Sequence, residues 1–424
     1  MPNARVLAEA KLFRGKLTLG SKDFKIRFRV STDSRHNLEL EFESPSSALL
    51  QAIRTLDSTP GTEVQTCCLI GRSSDGWLFW TDDFAPDHPN GDVLSGEIYS
   101  AYVFSPDHKC SEKLVFERFF RGFNSWDGVR IETPLGVAGI SASATSEDRQ
   151  ALSARVAVIS DDISAPLDWW AEASKYLSYI GPGISFIDGG WVKFPVERFA
   201  SPNGSLWRFL SVTSSPREFP PEHSLNNSEM LKTLFESYFR TPPLAENFWD
   251  AVSWMYLPTN NNEGRFLGAM TAIEFWLSSE FDERQNFLHM TKNEFKPIYK
   301  ALLSVIKILN ISDAMKSDAE TKLHDLRRFS LRQKTAKAFS IRDISLAGIS
   351  DEEIKWLVKS RNNLVHRGKW LEDDGWDLIY LAREILTRII FNAINYSGTY
   401  DSYVGGNGVH RRNFPSCETV TNSR

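Results

Sequence analysis

Pro216-Arg217-Glu218-Phe219-Pro220-Pro221, followed by the polar run His223 to Asn227, marks the point where the pattern of this chain changes. Before it, short segments alternate or run in β-branched and aromatic residues; beyond it, apolar residues recur with a helical period of about 3.6. The stretch reads as a linker between an all-β module and an all-α bundle.

Upstream, strands are expected over Phe24 to Val30, Leu38 to Phe42, Val64 to Ile70, Trp77 to Trp80, Ile98 to Phe104, Leu114 to Phe120 and Ala154 to Ile159. Asp75-Gly76, Asn90-Gly91-Asp92 and Asp127-Gly128 supply turns between them, a pattern that favours an antiparallel sandwich or barrel. One helix interrupts, from Pro166 through Ile180, with Gly181-Pro182 as its stop. Strands resume at Ile184 to Phe186, Gly190 to Phe194 and Leu206 to Val212.

Downstream, the period places helices near Ser228 to Phe239, Leu244 to Tyr256, Glu263 to Ser278, Arg284 to Leu309, Ser312 to Phe339, Asp351 to Arg367 and Asp377 to Tyr396. Past Tyr396 the glycine-rich, polar end reads as a loose tail. The expected fold class is therefore α+β in two domains: an antiparallel β-rich domain over residues 1–220, an α-helical bundle over 225–396, and a flexible polar tail over 397–424. No internal repeat of 20 to 50 residues interrupts this plan.

With 424 residues, 42% hydrophobic and 12% aromatic, the chain has enough apolar mass for real cores. Forty-nine Lys and Arg against 54 Asp and Glu leave a net charge of −5, which excludes a basic sheath for nucleic acid and leaves only local patches. The cysteines, Cys67, Cys68, Cys110 and Cys417, make no disulfide framework and fit a reducing cytosol. Charges stand near the N-terminus where a signal peptide needs its apolar run. The apolar stretch Leu378 to Ile394 is interrupted by Arg383, Glu384 and Arg388, so no membrane span is expected and the chain is expected in the cytoplasm.

The segment Ser350 to Gly368, Ser-Asp-Glu-Glu-Ile-Lys-Trp-Leu-Val-Lys-Ser-Arg-Asn-Asn-Leu-Val-His-Arg-Gly, carries the most chemistry. Ser350 and Glu353 have capping-box spacing, and Gly368 stands where a left-handed residue ends a helix. Ile354, Leu357, Val358, Leu364 and Val365 cluster in one apolar stripe, and Arg361 falls inside it. Lys355, Lys359, Asn362 and His366 follow at i, i+4, i+7 and i+11, a polar ladder along the stripe's edge. An arginine, an amide, an imidazole and two ammonium groups on one helix supply the donors that hold a phosphate.

Arg361-Asn362 followed by His366 resembles the R-N-x-x-x-H motif of the HEPN superfamily, on the penultimate helix where that family carries it. The string Arg-Asn-Asn-Leu-Val-His-Arg-Gly, with Glu263-Gly264-Arg265-Phe266 and Ala272-Ile273-Glu274 upstream, looks most like the ApeA-like branch of bacterial antiphage, abortive-infection proteins. Those have a β-rich region before the HEPN domain. The motif resemblance covers about residues 225–396, and the β half is similar only in position and character.

The resemblance implies metal-independent RNA cleavage without a cofactor. RNA brings its own nucleophile, the 2′-OH, so the protein need supply only proton transfer and charge stabilisation. His366 is implied as general acid or base, Arg361 as the stabiliser of phosphorane charge, Asn362 as an orienting group, and Lys355 and Lys359 as phosphate guides, with Glu274 as a partner orienting Arg361. The alternative is an Arg361 paired within the bundle, with Glu274 as its candidate partner, and a His366 that only caps the helix end. Five helical residues separate Arg361 from His366 by about 140°, a poor catalytic pair in one copy. The family's answer is to face two motifs across a homodimer or a higher even-numbered assembly. The β half is the expected sensor, with a phage component as its trigger.

Arg284 and His289 repeat the spacing without the asparagine or the Arg-Gly stop and read as a decoy. Arg327, Arg328, Arg332, Lys334, Lys337 and Arg342 form a second basic feature, an RNA-tracking surface if clustered but more often a solvated face. His108 and Cys110 with Cys67 or Cys68 offer a zinc set whose spacing is not that of a finger or ribbon, so no metal is assigned. His410 with Cys417, and His324-Asp325, are weaker still. Trp77, Trp80, Trp126, Trp169, Trp170, Trp191 and Trp207 either fill the β core or line a ligand groove. Phosphate-binding loops and nucleophile elbows are absent from the sequence. A catalytically inactive HEPN binding module beside a ligand-binding β-sandwich is the alternative to a nuclease.

Overall fold

The computed structural model describes residues 7, 9–33, 37–57, 67–87, 89–90, 93–106, 112–121, 128–142, 152–188, 192–211, 228–240, 248–249, 252–253, 261–282, 286–368, 375–405 and 408–419. The chain forms two compact units, Met1–Thr241 and Pro242–Arg424.

The first unit opens with β1 (Lys11–Leu19), β2 (Lys22–Thr32), β3 (Leu38–Glu43), α1 (Ser47–Asp57), β4 (Cys67–Arg72), β5 (Leu78–Pro86), β6 (Gly96–Ile98) and β7 (Ser100–Ser105). It continues through β8 (Leu114–Arg121), β9 (Val129–Thr133), β10 (Gly136–Ala142), β11 (Leu152–Ser160), α2 (Pro166–Asp188), β12 (Lys193–Ser201), β13 (Gly204–Leu210) and α3 (Ser228–Ser237). Hydrogen bonding joins the strands into one antiparallel sheet of 13, ordered β3-β2-β1-β4-β5-β7-β13-β12-β8-β11-β10-β9, with β6 branching from β5.

Period-two alternation in these strands sorts their side chains between two faces. Phe13, Leu17, Phe28, Leu69, Phe79, Val103 and Phe209 lie on one face and form the core, into which α1 inserts Leu49, Leu50 and Ile53. On the opposite face α2 covers the β8 and β12 region: Trp170 stacks on Phe199 with ring centroids 5.3 Å apart and meets Phe116 edge-on.

Three expectations for this half need correction. Gly181-Pro182 does not stop α2, which runs to Asp188 and takes in the expected strand Ile184 to Phe186. Ala173, Tyr176, Leu177, Ile180, Ile184 and Ile187 keep one buried helical stripe across the proline, and their burial offsets its cost of about 3 kcal/mol. The helix over Ser228–Ser237 belongs to the first unit, not to the bundle: the Tyr176 hydroxyl donates to the Phe235 carbonyl at 3.1 Å. Residues 216–221, the expected linker, lie outside the described residues.

The second unit contains α4 (Asn262–Glu280), α5 (Lys292–Ile308), α6 (Asp313–Leu323), a 3-10 turn (His324–Arg327), α7 (Leu331–Ile341), α8 (Asp351–Arg367) and α9 (Gly375–Ile394). Helices expected over Arg284 to Leu309 and Ser312 to Phe339 are shorter than their apolar period implies. Capping boxes restart the chain at both breaks, Thr291 with Glu294 and Ser330 with Gln333. The helix expected near Leu244 to Tyr256 falls largely outside the described residues.

The expected tail is ordered instead. β14 (Gly398–Ser402), β15 (His410–Phe414) and β16 (Glu418–Thr419) make a three-stranded sheet. Its Tyr400 hydroxyl donates to Glu384 on α9 at 2.7 Å, and Arg388 Nε donates to the same carboxylate at 2.8 Å. Glu384 and Arg388, which interrupt an apolar run in the sequence, are 2% and 0% exposed and satisfy one another within the core. Among the described residues no helix is long and apolar enough to cross a membrane.

Candidate functional site

Helix α8 begins and ends as its residues require. The Ser350 hydroxyl accepts from the Glu353 amide at 3.2 Å, Glu353 Oε2 accepts from the Ser350 amide at 2.6 Å, and Gly368 closes the helix at φ 65°. Ile354, Leu357, Ser360 and Leu364 are buried, anchoring the helix against α4, α7 and α9. Val365, expected in that stripe, is 52% exposed, so the buried seam is narrower than the sequence implies. Arg332 on α7 meets the first turn through an exposed ion pair to Asp351 at 2.9 Å.

Arg361 stands at the seam's edge, half-buried, and Glu274 of α4 reaches it. Arg361 Nε donates to Glu274 Oε1 at 2.7 Å and Nη2 donates to Oε2 at 2.8 Å, a two-pronged pair, while Nη1 donates to Asn362 Oδ1 at 3.2 Å. Three of the five N–H donors of a guanidinium are thereby used, which leaves one on each terminal nitrogen. Glu274 and Asn362 together orient the plane of the fork.

Lys355, Lys359, Asn362 and His366 are all exposed along the ladder. Lys355 bonds to Glu352 at 3.2 Å, an exposed i,i+3 pair of little stabilising worth. Among the described residues His366 makes no hydrogen bond, and none joins it to Arg361. One chain thus presents the Arg361 fork and the His366 imidazole on different sides of a helix.

No family model, curated protein or solved structure matches this chain. The site's meaning rests on its geometry and on the motif.

The other sequence candidates separate on inspection. His289 is exposed and precedes α5, its ring against Phe329 at 4.5 Å and its amide bonded to the Arg327 carbonyl; Arg284 lies outside the described residues. Five members of the basic series make local contacts: Arg327 Nη2 donates to the Met290 carbonyl, Arg328 pairs with Asp325, Arg332 with Asp351 and Arg342 with Glu280, and Lys334 sits over the Phe287 ring, while Lys337 is exposed. His108, Cys110 and the His324 side chain lie outside the described residues. Burial, with the neighbouring Cys68, pushes the Cys67 thiol up to about 11. His410 is half-buried on β15 and Cys417 is buried in the following turn.

The tryptophans are mostly structural. Trp207 is core, Trp77 packs against the core, and Trp169 and Trp170 bind α2 to the sheet. Trp80 lies on the open face, and Trp126 and Trp191 lie outside the described residues. Arg361 and Glu274 are legible in the sequence, but the role of Asp351 is missed there, although an acid in the first turn of a capped helix is a standing invitation to a neighbouring cation.

Proposed function

We propose that this chain is a metal-independent endoribonuclease of bacterial antiphage defence, with a HEPN-type site of Arg361, Asn362 and His366 completed across a homodimer. The observation that supports the reading is the Glu274 fork, which orients the Arg361 guanidinium while one N–H on each terminal nitrogen makes no hydrogen bond among the described residues. A charge fixed before the reaction stabilises developing charge without reorganising.

In this reading the RNA 2′-oxygen attacks the adjacent phosphorus, and the bond from phosphorus to the 5′-oxygen breaks. One His366 accepts the 2′ proton and the partner subunit's His366 returns a proton to the departing 5′-oxygen. The products are a 2′,3′-cyclic phosphate and a 5′-OH. Arg361 faces the phosphorane oxygens, Asn362 orients them, and Lys355 and Lys359 guide the flanking phosphates. The first unit regulates the site in response to a phage-derived trigger, a role that rests on the motif's resemblance alone.

A second reading, a non-cleaving HEPN module that binds a partner, is favoured by two facts: among the described residues nothing hydrogen-bonds to His366, and Arg361 is paired within the bundle to Glu274. Cleavage of a labelled RNA by wild type, Arg361→Ala and His366→Ala separates the two. Loss of cleavage in both variants, with fold and oligomeric state retained, is expected; equal activity in all three rejects the site.

A further inference from the structure

Across β2, β1 and β4 the pairing register sets Arg27, Arg14 and Arg72 directly opposite one another. Residues so paired project from the same face with Cβ atoms about 5 Å apart, and like charges there repel. All three are exposed, and among the described residues none makes an ion pair. Glu43 stands opposite Arg27 on β3 at the end of the row but is committed to Arg29 at 2.8 Å, and Asp23 is committed to Lys16 at 2.8 Å. A row of like charges that the fold does not neutralise has an evident complement, a polyanion.

The same face continues as an apolar and aromatic surface. Arg72 lies opposite Leu78, which lies opposite Phe104; one row along, Ile70 lies opposite Trp80, which lies opposite Tyr102. Trp80 and Tyr102 stack at 4.7 Å with their planes 9° apart, and the Arg208 guanidinium approaches Tyr102 at 5.7 Å. Ile70 and Leu78 are 44% and 39% exposed. Helix α2 covers the β8 and β12 end of this face through Trp170, and these rows lie beyond that contact.

We infer that this open face of the first unit's sheet binds single-stranded nucleic acid, with the phosphates on Arg14, Arg27 and Arg72 and the bases on the Trp80, Tyr102 and Leu78 surface. Cations that follow a backbone beside side chains on which bases stack are the two ingredients of sequence-tolerant single-strand binding. The apolar rows favour nucleic acid over an acidic peptide, which offers no bases to them. The inference does not depend on the proposed cleavage site, which lies in the other unit.

Fluorescence anisotropy of the full chain with 12-nucleotide oligo-dT and oligo-rU tests it. Oligo-dT has no 2′-OH to act as nucleophile and so is not consumed, and it is the loss of its binding in the Arg14, Arg27 and Arg72 variant, with binding kept in Arg361→Ala, that assigns it to this face whatever the fate of the Arg361 assignment. Both probes are expected to bind, and Arg14→Gln/Arg27→Gln/Arg72→Gln to weaken both at least tenfold and to lower the salt slope by about 2, near 0.7 for each phosphate that is no longer neutralised. The triple variant is expected to be at least as thermally stable as wild type, because it removes repulsion, and the corresponding triple lysine variant to keep most of the binding. Trp80→Ala is expected to weaken the oligonucleotides but not inorganic polyphosphate of equal charge. Unchanged binding in the glutamine variant overturns the inference. So does polyphosphate or polyglutamate that binds as tightly as the oligonucleotides with no effect of Trp80→Ala.

Discussion

Glu274 on α4 grips Arg361 on α8 with both carboxylate oxygens, at 2.7 Å from Nε and 2.8 Å from Nη2. The pair is about a third exposed, so its worth to stability is small, below about 1 kcal/mol, and its worth to geometry is larger. The fork fixes the plane in which the remaining guanidinium donors face outward. Glu274→Gln is accordingly expected to lower RNA cleavage at least tenfold while moving the unfolding midpoint by only a few degrees. Arg361→Lys is expected to fail as Arg361→Ala does, because an ammonium has no fork to be held. Steady-state rates beside thermal unfolding check both; a Glu274→Gln protein with full activity dissociates the pair from function.

His289 supplies the internal control. It shares with His366 the spacing from an upstream arginine, yet it precedes its helix and its ring lies against Phe329. His289→Ala is expected to retain at least half of wild-type cleavage while His366→Ala loses more than a hundredfold. A folded His289→Ala protein as inactive as His366→Ala overturns the choice between them.

If the 2′-OH is the nucleophile, a substrate whose scissile nucleotide is 2′-deoxy is expected to bind and remain intact. Cleavage of RNA is expected to persist in EDTA, since neither the fork nor the imidazole needs a metal for its part. End-group analysis is expected to give a 2′,3′-cyclic phosphate; cleavage at the deoxy position refutes the mechanism.

In the proposed mechanism, the separation of Arg361 and His366 around one helix calls for a partner subunit to complete the site. Cleavage per chain is expected to fall with dilution below the dimer dissociation constant and to recover on reconcentration, and crosslinks through a cysteine placed at Asn362 are expected within the dimer. A monomer that cleaves at full rate, confirmed by sedimentation at the assay concentration, rules the composite site out.

Tyr400 tests the buried end of the bundle. Burial and the Glu384 carboxylate raise its hydroxyl far above the ordinary phenol range, so it stays an intact donor throughout the range where proteins are handled. Tyr400→Phe leaves Glu384 one hydrogen bond short in a site from which water is excluded, and a loss of about 1–3 kcal/mol is expected in denaturant unfolding. Truncation after Tyr396 is expected to cost more, since it also uncovers Phe391, which packs on Tyr400 and Phe414.

Local signals along the chain account for its local structure. Period-two alternation placed most of the strands, and the capping box and terminal glycine of Ser350 to Gly368 bounded α8 at the observed residues. Thr291 with Glu294 and Ser330 with Gln333 carry the same signal beneath long apolar periods that mask it, so those breaks are legible too. Arg361, Asn362 and His366 are legible because a motif and a helical wheel involve only one segment.

Other features depend on contacts between segments far apart in the chain. A helix through Gly181-Pro182 requires a sheet to bury its stripe, and the burial energy there outweighs the local cost of proline. The C-terminal residues fold because α9 offers a buried carboxylate and guanidinium that need Tyr400, a demand invisible in the glycine-rich string itself. The row Arg27, Arg14, Arg72 arises from strand register, and a shift of one residue in either pairing would send its members to opposite faces. Local chemistry chooses helices and strands, but which charges face one another is fixed only when those elements pair.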